Sequence, residues 1–570
     1  MDKKQEFIEE MFKKDILVSH DLLEGQVDIS LLGRVELEGD LLVLNKDYSD
    51  IITKQTSLVD WYNIDGYRVA AEKGRNEELY QEQLQGFKSS TLSVTHSEGV
   101  RAHTVLSLES ELGTHPDSAT SYSYVTNHIP QEMYNPLIDP SVGAIQGAGV
   151  EKTMVNVVIS YINKPRKYNV QDFTNFFLSR YRYLESLLKQ RQELKNIATI
   201  NRILQKKEKE NVAVIGIIEE IGETKSGNVI ITLEDPTGKI KVVITKKDKD
   251  LFAAAKDLVV DEVIGVAGMS SEKFIFANNL VWPDIPSTHE LKKGPEEEYA
   301  IFLSDIHVGS KLFLKEEFAK FIRWINGQGG NEIQKDIASK VRYIFIAGDL
   351  VDGVGIYPSQ EEELEIKTIE GQYTEFTRLI RQIPTDKQII MCPGNHDVVH
   401  LAEPQPIFYT EFASDIFSLP NVTFVTNPAV INIGKKAGFE GFNVLMYHGY
   451  SFDYYVANVE SIRTGGGYHR SDLIMKFLLK RRHLAPSFSS TPYHPSHTED
   501  PLLIKKIPDI FITGHIHYCC VANYKGITMI SGSCWQGKTT FQEKLGHEPE
   551  PARVPLINLK TREVKVLRFG

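Results

Sequence analysis

Between residues 296 and 570, five apolar runs of strand-like sequence each lead directly into residues that can bind a metal ion. YAIFLS leads into Asp305 and His307, and VRYIFIA leads into Asp349. The runs QIIMC, FNVLMY and DIFIT lead into the remaining candidates, which are Asn395, His396, Asp397, His448, His515 and His517. Strands that end in polar ligands are typical of an α/β fold with its site at the strand ends. The pattern therefore predicts an α/β domain over residues 296–570 with one shared site.

The residue types at these strand ends suit the cleavage of a phosphodiester. Such a reaction needs a nucleophile at neutral pH and relief of charge on the leaving oxygen, and two metal ions about 3.5–4 Å apart supply both. We predict that Asp349 bridges the two ions. The spacings Asp-x-His and His-x-His place both ligands of each pair on one side of an extended chain. One ion would be held by Asp305, His307 and His517, and the other by Asn395, His448 and His515.

His396 follows a predicted ligand and is left free of the metals in this assignment. We predict that it lies beside the phosphate, where it stabilises the transition state or protonates the leaving group. Asp397 is predicted to orient this histidine, as a carboxylate commonly does. Glycines next to the ligands would permit sharp turns at the strand ends; these are Gly348, Gly394, Gly449 and Gly514.

Each short motif is weak by itself, because a chain with 17 histidines contains chance matches. Gly-Asn-His-Asp after an apolar run is rarer, and all five elements in this order argue against a purely structural origin. The ligand set combines imidazole, carboxylate and amide oxygen without thiolate, which suits Mn²⁺, Fe or Zn²⁺ better than Mg²⁺. We predict two divalent metal ions, with Mn²⁺ as the first choice. Cys519 and Cys520 are predicted to be buried or partly buried thiols and not ligands.

Residues 211–285 read as an all-β domain. Five short alternating or apolar runs follow one another there, and the turn sequence Asp-Pro-Thr-Gly at 235–238 separates two of them. About five strands in so short a span indicate an OB-fold β-barrel. Such barrels often bind single strands through exposed aromatic residues; the aromatic residues available here are Phe252, Phe274, Phe276 and Trp282. A module for packing and subunit contact is the competing interpretation.

The first 150 residues carry no recognisable chemistry. Residues 1–87 are predicted to form a small mixed module, and the Ser-, Thr- and Gly-rich residues 88–150 a flexible linker. Residues 151–210 are predicted to form a strand and then a helical segment that leads into the barrel. Gln81-x-x-Leu84-x-x-Phe87 resembles a sliding-clamp-binding box only weakly, because the second aromatic residue is missing. An ordinary helix end is the preferred interpretation of that segment.

The composition of the chain indicates the expected partners and cellular compartment, and it says little about the reaction. A net charge of −12 is poor for gripping DNA unaided, so DNA contacts would need local basic patches or a partner. Four cysteines form no disulfide framework, which fits a reducing cytoplasm. We expect no membrane span, because no run of 18 or more apolar residues occurs, and no secretory signal at the charged N-terminus.

The strand-end motifs resemble the calcineurin-like metallophosphoesterase superfamily in its nuclease branch. Several longer segments are similar to the small subunits of archaeal family D DNA polymerases; these are GNHDVVHLAEPQP (394–406), MKFLLKRRHLAP (475–486), PDIFITGHIH (508–517), SGSCWQGKTTFQ (531–542) and PARVPLINL (551–559). The resemblance covers roughly residues 151–570. One departure is Val398-Val399-His400, where a small residue and an arginine would be expected, so His400 could replace a basic contact to the DNA.

This resemblance implies the small subunit of a two-subunit replicative polymerase. The expected activity is a 3′→5′ exonuclease that proofreads synthesis by a separate large catalytic subunit at the 3′ end of the DNA. The N-terminal region could recruit a sliding clamp or other replication factors. Two alternatives compete with the nuclease, namely an inert scaffold and a phosphatase of small molecules or phosphoproteins. The complete ligand set favours the nuclease over the scaffold, and the OB-like domain favours it over the phosphatase.

Overall fold

The computed structural model describes residues 155–161, 167–206, 208–271, 273–495, 499–544 and 546–570, together with the backbone of a few short strands before them. Those strands are β1 (Leu17–Val18), β2 (Val43–Leu44), β3 (Ile138–Asp139) and β4 (Ala144–Gln146), and β5 (Val155–Ile159) follows. The chain divides into a unit at Met1–Ser123, where β1 and β2 pair in parallel, and a unit at Tyr124–Gly570. Most of the predicted N-terminal module and linker, and the segment Gln81–Phe87, lie outside the described residues.

A closed five-stranded barrel occupies the segment predicted to be an OB domain. Its strands run in the order β10-β8-β7-β6-β9; they are β6 (Asn211–Glu223), β7 (Val229–Asp235), β8 (Gly238–Ile244), β9 (Val263–Ser270) and β10 (Phe274–Val281). Strand β7 alternates so that Ile231 and Leu233 fill the barrel interior. At the predicted turn, the carboxylate of Asp235 accepts hydrogen bonds from the backbone N–H groups of Thr237 and Gly238. The OB-barrel prediction is confirmed.

The rest of this unit is a β-sandwich flanked by helices. Its further strands are β11 (Tyr299–Leu303), β12 (Val341–Ala347), β13 (Gln388–Cys392), β14 (Val422–Phe424), β15 (Ala429–Ile433), β16 (Phe442–Met446), β17 (Ile510–Thr513), β18 (Cys520–Tyr524), β19 (Ile527–Ser531), β20 (Arg553–Asn558) and β21 (Val564–Arg568). One sheet has the order β21-β20-β11-β12-β13-β14-β4-β3, and the other has the order β18-β19-β17-β16-β15-β5. β11 to β14 are mutually parallel, and β16, β17 and β19 are parallel in the second sheet.

Alternate residues of the central strands face two different cores. Phe302 and Phe345 stack between the sheets, with ring centroids 5.5 Å apart, and meet Ile431, Val444 and Ile512 of the second sheet. Helices at Lys315–Ile325, Glu332–Lys340, Ile369–Ile380 and Thr410–Ala413 cover the outer face of the first sheet. Helices at Phe452–Asn458, Glu460–Thr464 and Ser471–Arg481 cover the second. Burial on both faces explains why these strands read as continuous apolar runs, and the predicted fold class is confirmed.

The sandwich takes strands from both sides of the barrel in the sequence. β4 lies inside the segment predicted as a linker and pairs with β14, and β5 pairs with β15. Residues 151–210 thus contribute β5 to the sandwich, and the helix that follows β5 precedes the barrel in the sequence. Both strands cover sheet edges that would otherwise present unpaired backbone groups. Partners so distant in sequence leave no trace in local composition.

The helix at Val170–Leu188 joins the barrel to the sandwich. It begins with a capping box between Asn169 and Asp172. Its buried Arg180 donates from Nε to the Asp500 carboxylate at 2.7 Å and from a terminal nitrogen to the Pro486 carbonyl at 2.6 Å. Since both partners belong to the sandwich, this guanidinium ties the helix to it. Further short α-helices lie at Ile200–Leu204, Lys249–Lys256 and Thr540–Lys544. Among the described residues, no helix is long and apolar enough to span a membrane.

Candidate metal centre

The predicted ligands meet at one edge of the sandwich. They follow the carboxyl ends of β11, β12 and β13 in one sheet and of the neighbouring strands β16 and β17 in the other. The loops are also joined through the main chain, because Asp305 N–H donates to the Gly348 carbonyl at 3.0 Å and Gly514 N–H donates to the His448 carbonyl at 2.8 Å. The sheet register therefore positions the side chains before any metal is considered.

One group of possible metal-binding atoms combines Asp305, His307 and His517, all of them buried. The Nε2 atoms of the two histidines are 3.0 Å apart, and Nε2 of His517 is 3.4 Å from Oδ1 of Asp305. Burial would raise the pKa of Asp305, but the charges of His517 and His448 hold it below its usual value. A carboxylate that stays ionised in a buried pocket calls for a positive charge beside it.

Asp349 lies between this group and the other predicted ligands. Its Oδ2 is 3.8 Å from Nε2 of His307 and 3.3 Å from Nε2 of His448. Burial would raise the pKa of Asp349, yet His448 and His396 hold it well below its usual value. Burial lowers the pKa of His448, but the carboxylate of Asp349 outweighs it and raises that pKa to about 9. This position between the two histidines is compatible with the predicted bridging role.

Asn395 links the remaining two histidines. Its Oδ1 is 2.9 Å from Nε2 of His448 and 3.0 Å from Nδ1 of His515. His515 places its other nitrogen, Nε2, 2.9 Å from a carboxylate oxygen of Asp453. His515 thus has an oxygen atom on each side, with the amide oxygen of Asn395 at Nδ1 and the Asp453 carboxylate at Nε2.

The outward nitrogen of each remaining histidine ligand is held by the protein. Nδ1 of His307 is 3.0 Å from the Asp352 carboxylate, and Nδ1 of His448 is 2.8 Å from the Ala347 carbonyl. The carboxylate and the carbonyl accept from these N–H groups and fix the ring orientation, as is typical of metal-binding histidines. At His517 the arrangement is reversed, because Gln542 donates from Nε2 to Nδ1 at 2.9 Å. The inward atoms form a set of imidazole, carboxylate and amide donors that fits divalent Mn, Fe or Zn.

Five of the predicted ligands have a left-handed backbone conformation. Residues with φ between 50° and 69° include Asp305, His307, Asp349, His515 and His517. The pairs Asp-x-His and His-x-His therefore do not lie on extended chain, and the alternation argument is wrong, although both side chains of each pair do reach the site. Non-glycine residues in the left-handed region cost about 1–3 kcal/mol each and cluster at functional sites.

The glycines beside the ligands are needed for space as much as for turns. A Cβ on Gly394 would lie 2.1 Å from Oδ1 of Asp349, and one on Gly514 would lie 2.6 Å from Oδ2 of Asp305. Gly348 combines both needs, since its φ is 87° and a Cβ there would lie 2.4 Å from Nδ1 of His448. These glycines let the ligand carboxylates and imidazoles approach the backbone of the neighbouring loops.

His396 lies against the ligands with one nitrogen free. Its Nδ1 is 2.7 Å from the Asp352 carbonyl, and its ring packs edge-on against His307 at 4.6 Å. Burial lowers the pKa of His396. One ring nitrogen of His396 also lies close enough to His307 and Asp349 for these three residues to form another possible metal-binding group. A role as a ligand and a role beside the phosphate are both compatible with this position.

Asp397 does not orient His396 as predicted. Its Oδ2 accepts from the backbone N–H groups of Gly394 at 2.9 Å and Leu350 at 3.3 Å, and Tyr373 donates its hydroxyl to Oδ1 at 3.0 Å. Burial and the nearby Asp349 raise the pKa of Asp397 to about 7. Asp397 therefore holds together the two loops that carry the ligands, while the carbonyl of Asp352 takes the orienting role.

The sequence reasoning did not single out Asp352, Asp453 or Gln542. Asp352 carried a usable signal, because it follows Asp349 by three residues in GDLVDG and a second acid so close to a ligand is a candidate for orienting one. Asp453 and Gln542 carried no such signal, since their partners His515 and His517 lie far along the chain.

The other sequence candidates lie outside the centre. His400 is half-buried and packs against His494, with ring centroids 4.3 Å apart. Cys519 is no member of a metal group among the described residues, and burial raises its pKa to about 12. On the barrel, Trp282 is buried beneath the Lys480 ammonium at 3.6 Å, whereas Phe274 and Phe276 are exposed on β10. Trp282 thus serves packing, and the exposed pair is open to either interpretation.

Comparison with known families defines the class of protein. Residues 300–519 match the family model of calcineurin-like phosphoesterases, and residues 212–273 match the OB-fold nucleic acid binding domain. The first match runs from β11 to the residues just past the last predicted ligand. The chain therefore contains a calcineurin-like phosphoesterase domain and an OB-fold domain.

Individual relatives identify the family of the chain more closely. A DNA polymerase II small subunit from Methanothermobacter thermautotrophicus is 38% identical over 402 residues, which cover 70% of this chain and 80% of the relative. A DNA polymerase II small subunit from Archaeoglobus fulgidus is 40% identical over 403 residues, covering 70% of this chain and 78% of the relative. The chain belongs to the family of archaeal DNA polymerase II small subunits.

Proposed function

We propose that this chain is a dimetal 3′→5′ exonuclease that proofreads synthesis by a large polymerase subunit. The observation that carries the proposal is the convergence of all the predicted ligand atoms at one edge of the sandwich, with their outward nitrogens held by other groups. A scaffold without activity would have no need of this arrangement. Membership in a family of DNA polymerase small subunits supports DNA as the substrate over a small phosphate ester.

Asp305, His307 and His517 would hold one divalent ion, and Asn395, His448 and His515 would hold the other, with Asp349 shared; Mn²⁺ is the proposed metal. Such an ion pair supplies a nucleophile at neutral pH and neutralises charge on the leaving oxygen.

The chain's own residues orient the phosphate and move the proton. Nδ1 of His396 donates to the Asp352 carbonyl at 2.7 Å, which holds the ring in place. The opposite ring nitrogen would donate to the phosphate or to the departing 3′ oxygen in the protonated imidazolium form. Asp397 keeps the loops of Asp349 and Asn395 at a fixed separation through its bonds to Leu350 and Gly394.

The net charge of the chain and its membership in a polymerase small-subunit family both support a large polymerase subunit as its partner. A net charge of −12 gives a weak hold on DNA phosphates, so a large subunit that carries the duplex would present the 3′ end to this site. The exposed Phe274 and Phe276 of the barrel are available to either the strand or that subunit. Recruitment of a sliding clamp through residues 81–87 and a cytoplasmic location remain predictions from the sequence.

Incubation of the purified chain with oligonucleotides labelled at either end tests the proposal. With Mn²⁺, a 3′ label should be released at once as a mononucleotide, while a 5′ label should appear on a ladder of shortened strands. Chelator and the Asp349→Ala variant, prepared in parallel, should abolish both products and so exclude a contaminating nuclease. Early release of the 5′ label as a mononucleotide would show that the chain degrades DNA in the opposite direction, from 5′ to 3′. Loss of a terminal phosphate without shortening would indicate a phosphatase, and an intact strand would indicate a scaffold.

A further inference from the structure

Two aromatic rings lie stacked beside the metal centre, outside the hydrophobic cores. Tyr357 and Phe541 have ring centroids 5.1 Å apart and planes inclined by only 14°. Neither ring belongs to a core cluster of the described residues, and 41% of Phe541 is exposed. Aromatic side chains normally stabilise a fold by burying their large surface. A stack with an exposed ring contributes little of that stabilisation, so its position needs another explanation.

The loop of Tyr357 is tied to the predicted ligands. Gln360 donates from Nε2 to the carbonyl of Asp352 at 2.8 Å and to its carboxylate at 3.0 Å. Asp352 in turn contacts Nδ1 of His307 at 3.0 Å. The Tyr357 hydroxyl donates to Glu363 at 2.8 Å, which leaves the ring, and not the hydroxyl, to face a ligand.

The loop of Phe541 is tied to the opposite side of the same group. The next residue, Gln542, contacts Nδ1 of His517 at 2.9 Å. Thr539 and Gln542 exchange hydrogen bonds between side chain and backbone, each 3.1 Å long, which fixes the start of the helix at Thr540–Lys544. The stack therefore keeps a set distance from the metal ligands, because both of its loops are anchored to them.

The stack is also next to the residue placed beside the phosphate. The ring centroids of Tyr357 and His396 are 6.5 Å apart. A nucleobase is joined to its own phosphate through a single sugar. The base of a nucleotide whose phosphate contacts His396 therefore lies within reach of Tyr357 or of the exposed ring of Phe541.

We infer that Tyr357 and Phe541 form a platform on which an unpaired base at the 3′ end of the strand stacks, an inference that rests on the proposed nuclease function. Stacking on an aromatic ring accepts any base, which suits an enzyme that removes whichever nucleotide is wrong. A base within a duplex is already stacked and paired, and it must give up those contacts to reach the platform. The stack thereby favours frayed or single-stranded ends over paired ends.

Binding tests the inference directly. The full-length chain with Mn²⁺ is titrated into a single strand that carries 2-aminopurine at its 3′ end and phosphorothioate linkages that resist cleavage. Stacking quenches 2-aminopurine fluorescence, so the parent should quench it. Phe541→Ala should lose the quenching and bind about 5–150-fold more weakly, whereas Phe541→Tyr should retain both. Phe412→Ala is the matched control, because Phe412 is also 41% exposed but lies on the helix Thr410–Ala413, which bears no ligand.

Cleavage kinetics separate this inference from the proposed function. The kcat/KM of the parent should be higher for a 3′-terminal nucleotide with a base than for an abasic one. In Phe541→Ala that ratio should fall toward one, mainly through KM. A parent that cleaves DNA with a ratio near one, or a ratio and quenching that survive in Phe541→Ala, would overturn the platform and leave the nuclease intact. A parent that cleaves neither strand overturns the nuclease itself.

Discussion

Replacement of Asp352 by asparagine should weaken metal binding without unfolding the chain. The carboxylate is buried, and its Oδ1 serves Nδ1 of His307 at 3.0 Å and Nε2 of Gln536 at 2.7 Å. Its Oδ2 accepts from Nε2 of Gln360 at 3.0 Å. All three partners donate hydrogen bonds to this carboxylate. Burial would raise the pKa of Asp352, but the hydrogen bond with His307 and the charge of its ring keep that pKa below its usual value. An asparagine must turn its own NH₂ toward one of these donors.

The magnitude follows from this geometry. The charge that makes His307 a better ligand is lost, and loss of such a partner typically costs about 10–100-fold in metal affinity. That range corresponds to about 1.4–2.7 kcal/mol of binding free energy. Gln360 retains its bond to the backbone carbonyl of Asp352 at 2.8 Å, so the loop keeps one of its two anchors. Because the asparagine fills the same volume, no cavity forms and the fold should survive.

Calorimetric titration with Mn²⁺ measures the effect, and thermal unfolding of the metal-free chain measures the fold. Asp386→Asn is the matched control, since the Asp386 side chain is 55% exposed and its ion-pair partners in the described residues, Arg342 and Lys387, are not predicted ligands. Asp352→Asn combined with His307→Ala should bind no more weakly than His307→Ala alone, because the carboxylate acts through that ring. Parent-like affinity in Asp352→Asn, or full additivity in the double variant, would refute the reasoning.

Three further predictions concern single residues. Asp349→Ala should abolish oligonucleotide cleavage with Mn²⁺ and leave a folded chain by thermal unfolding, because a shared ligand is lost while the strands behind it are intact; retained cleavage would contradict the assignment. His396→Ala should slow cleavage by about 10²–10⁴-fold with unchanged metal content by elemental analysis, and loss of metal would make His396 a ligand. Burial raises the pKa of Glu403 from 4.5 to about 8, so the folded chain keeps a proton that the unfolded chain releases. The free energy of unfolding should therefore fall as pH rises from about 4.5 to about 8, by up to about 1.4 kcal/mol per pH unit, and Glu403→Gln should remove that slope in unfolding titrations; an unchanged slope would place the charge elsewhere.

The sequence predicts the central strands well, because those strands are buried on both faces. Val341–Ala347 and Gln388–Cys392 read as continuous apolar runs, and the structure places them side by side in parallel. The edge strands were harder to place. Gln146 pairs with Thr423 and Ile159 with Val430, at separations that no local pattern can indicate. β4 lies within the Ser-, Thr- and Gly-rich residues 88–150, and its partner β14 comes after the barrel in the sequence.

The candidate ligands could be predicted from the sequence for a related reason. A histidine or carboxylate directly after a buried strand has only one edge of the sheet to occupy, so its position follows from the strand. Its supporting contacts do not follow in this way. Asp453 reaches His515 from a helix in another part of the chain, and the backbone turns at Asp305 and His307 depart from the extended geometry that their spacing suggested. Contacts of this kind depend on tertiary packing and not on the order of residues.

The strained backbone of the candidate ligands is held in place by the contacts that surround it. The strained backbone at Asp305, His307 and Asp349 would relax if the loops were free, since each such residue costs about 1–3 kcal/mol. The loops are not free, because the buried strands behind them fix one end and Asp397 joins the loops of Asp349 and Asn395. The ligand atoms thus lie within reach of one another through protein contacts alone. If the proposed function holds, a site supported in this way would bind its metals without reorganising the backbone, and the scissile phosphate would meet a geometry already set by the fold.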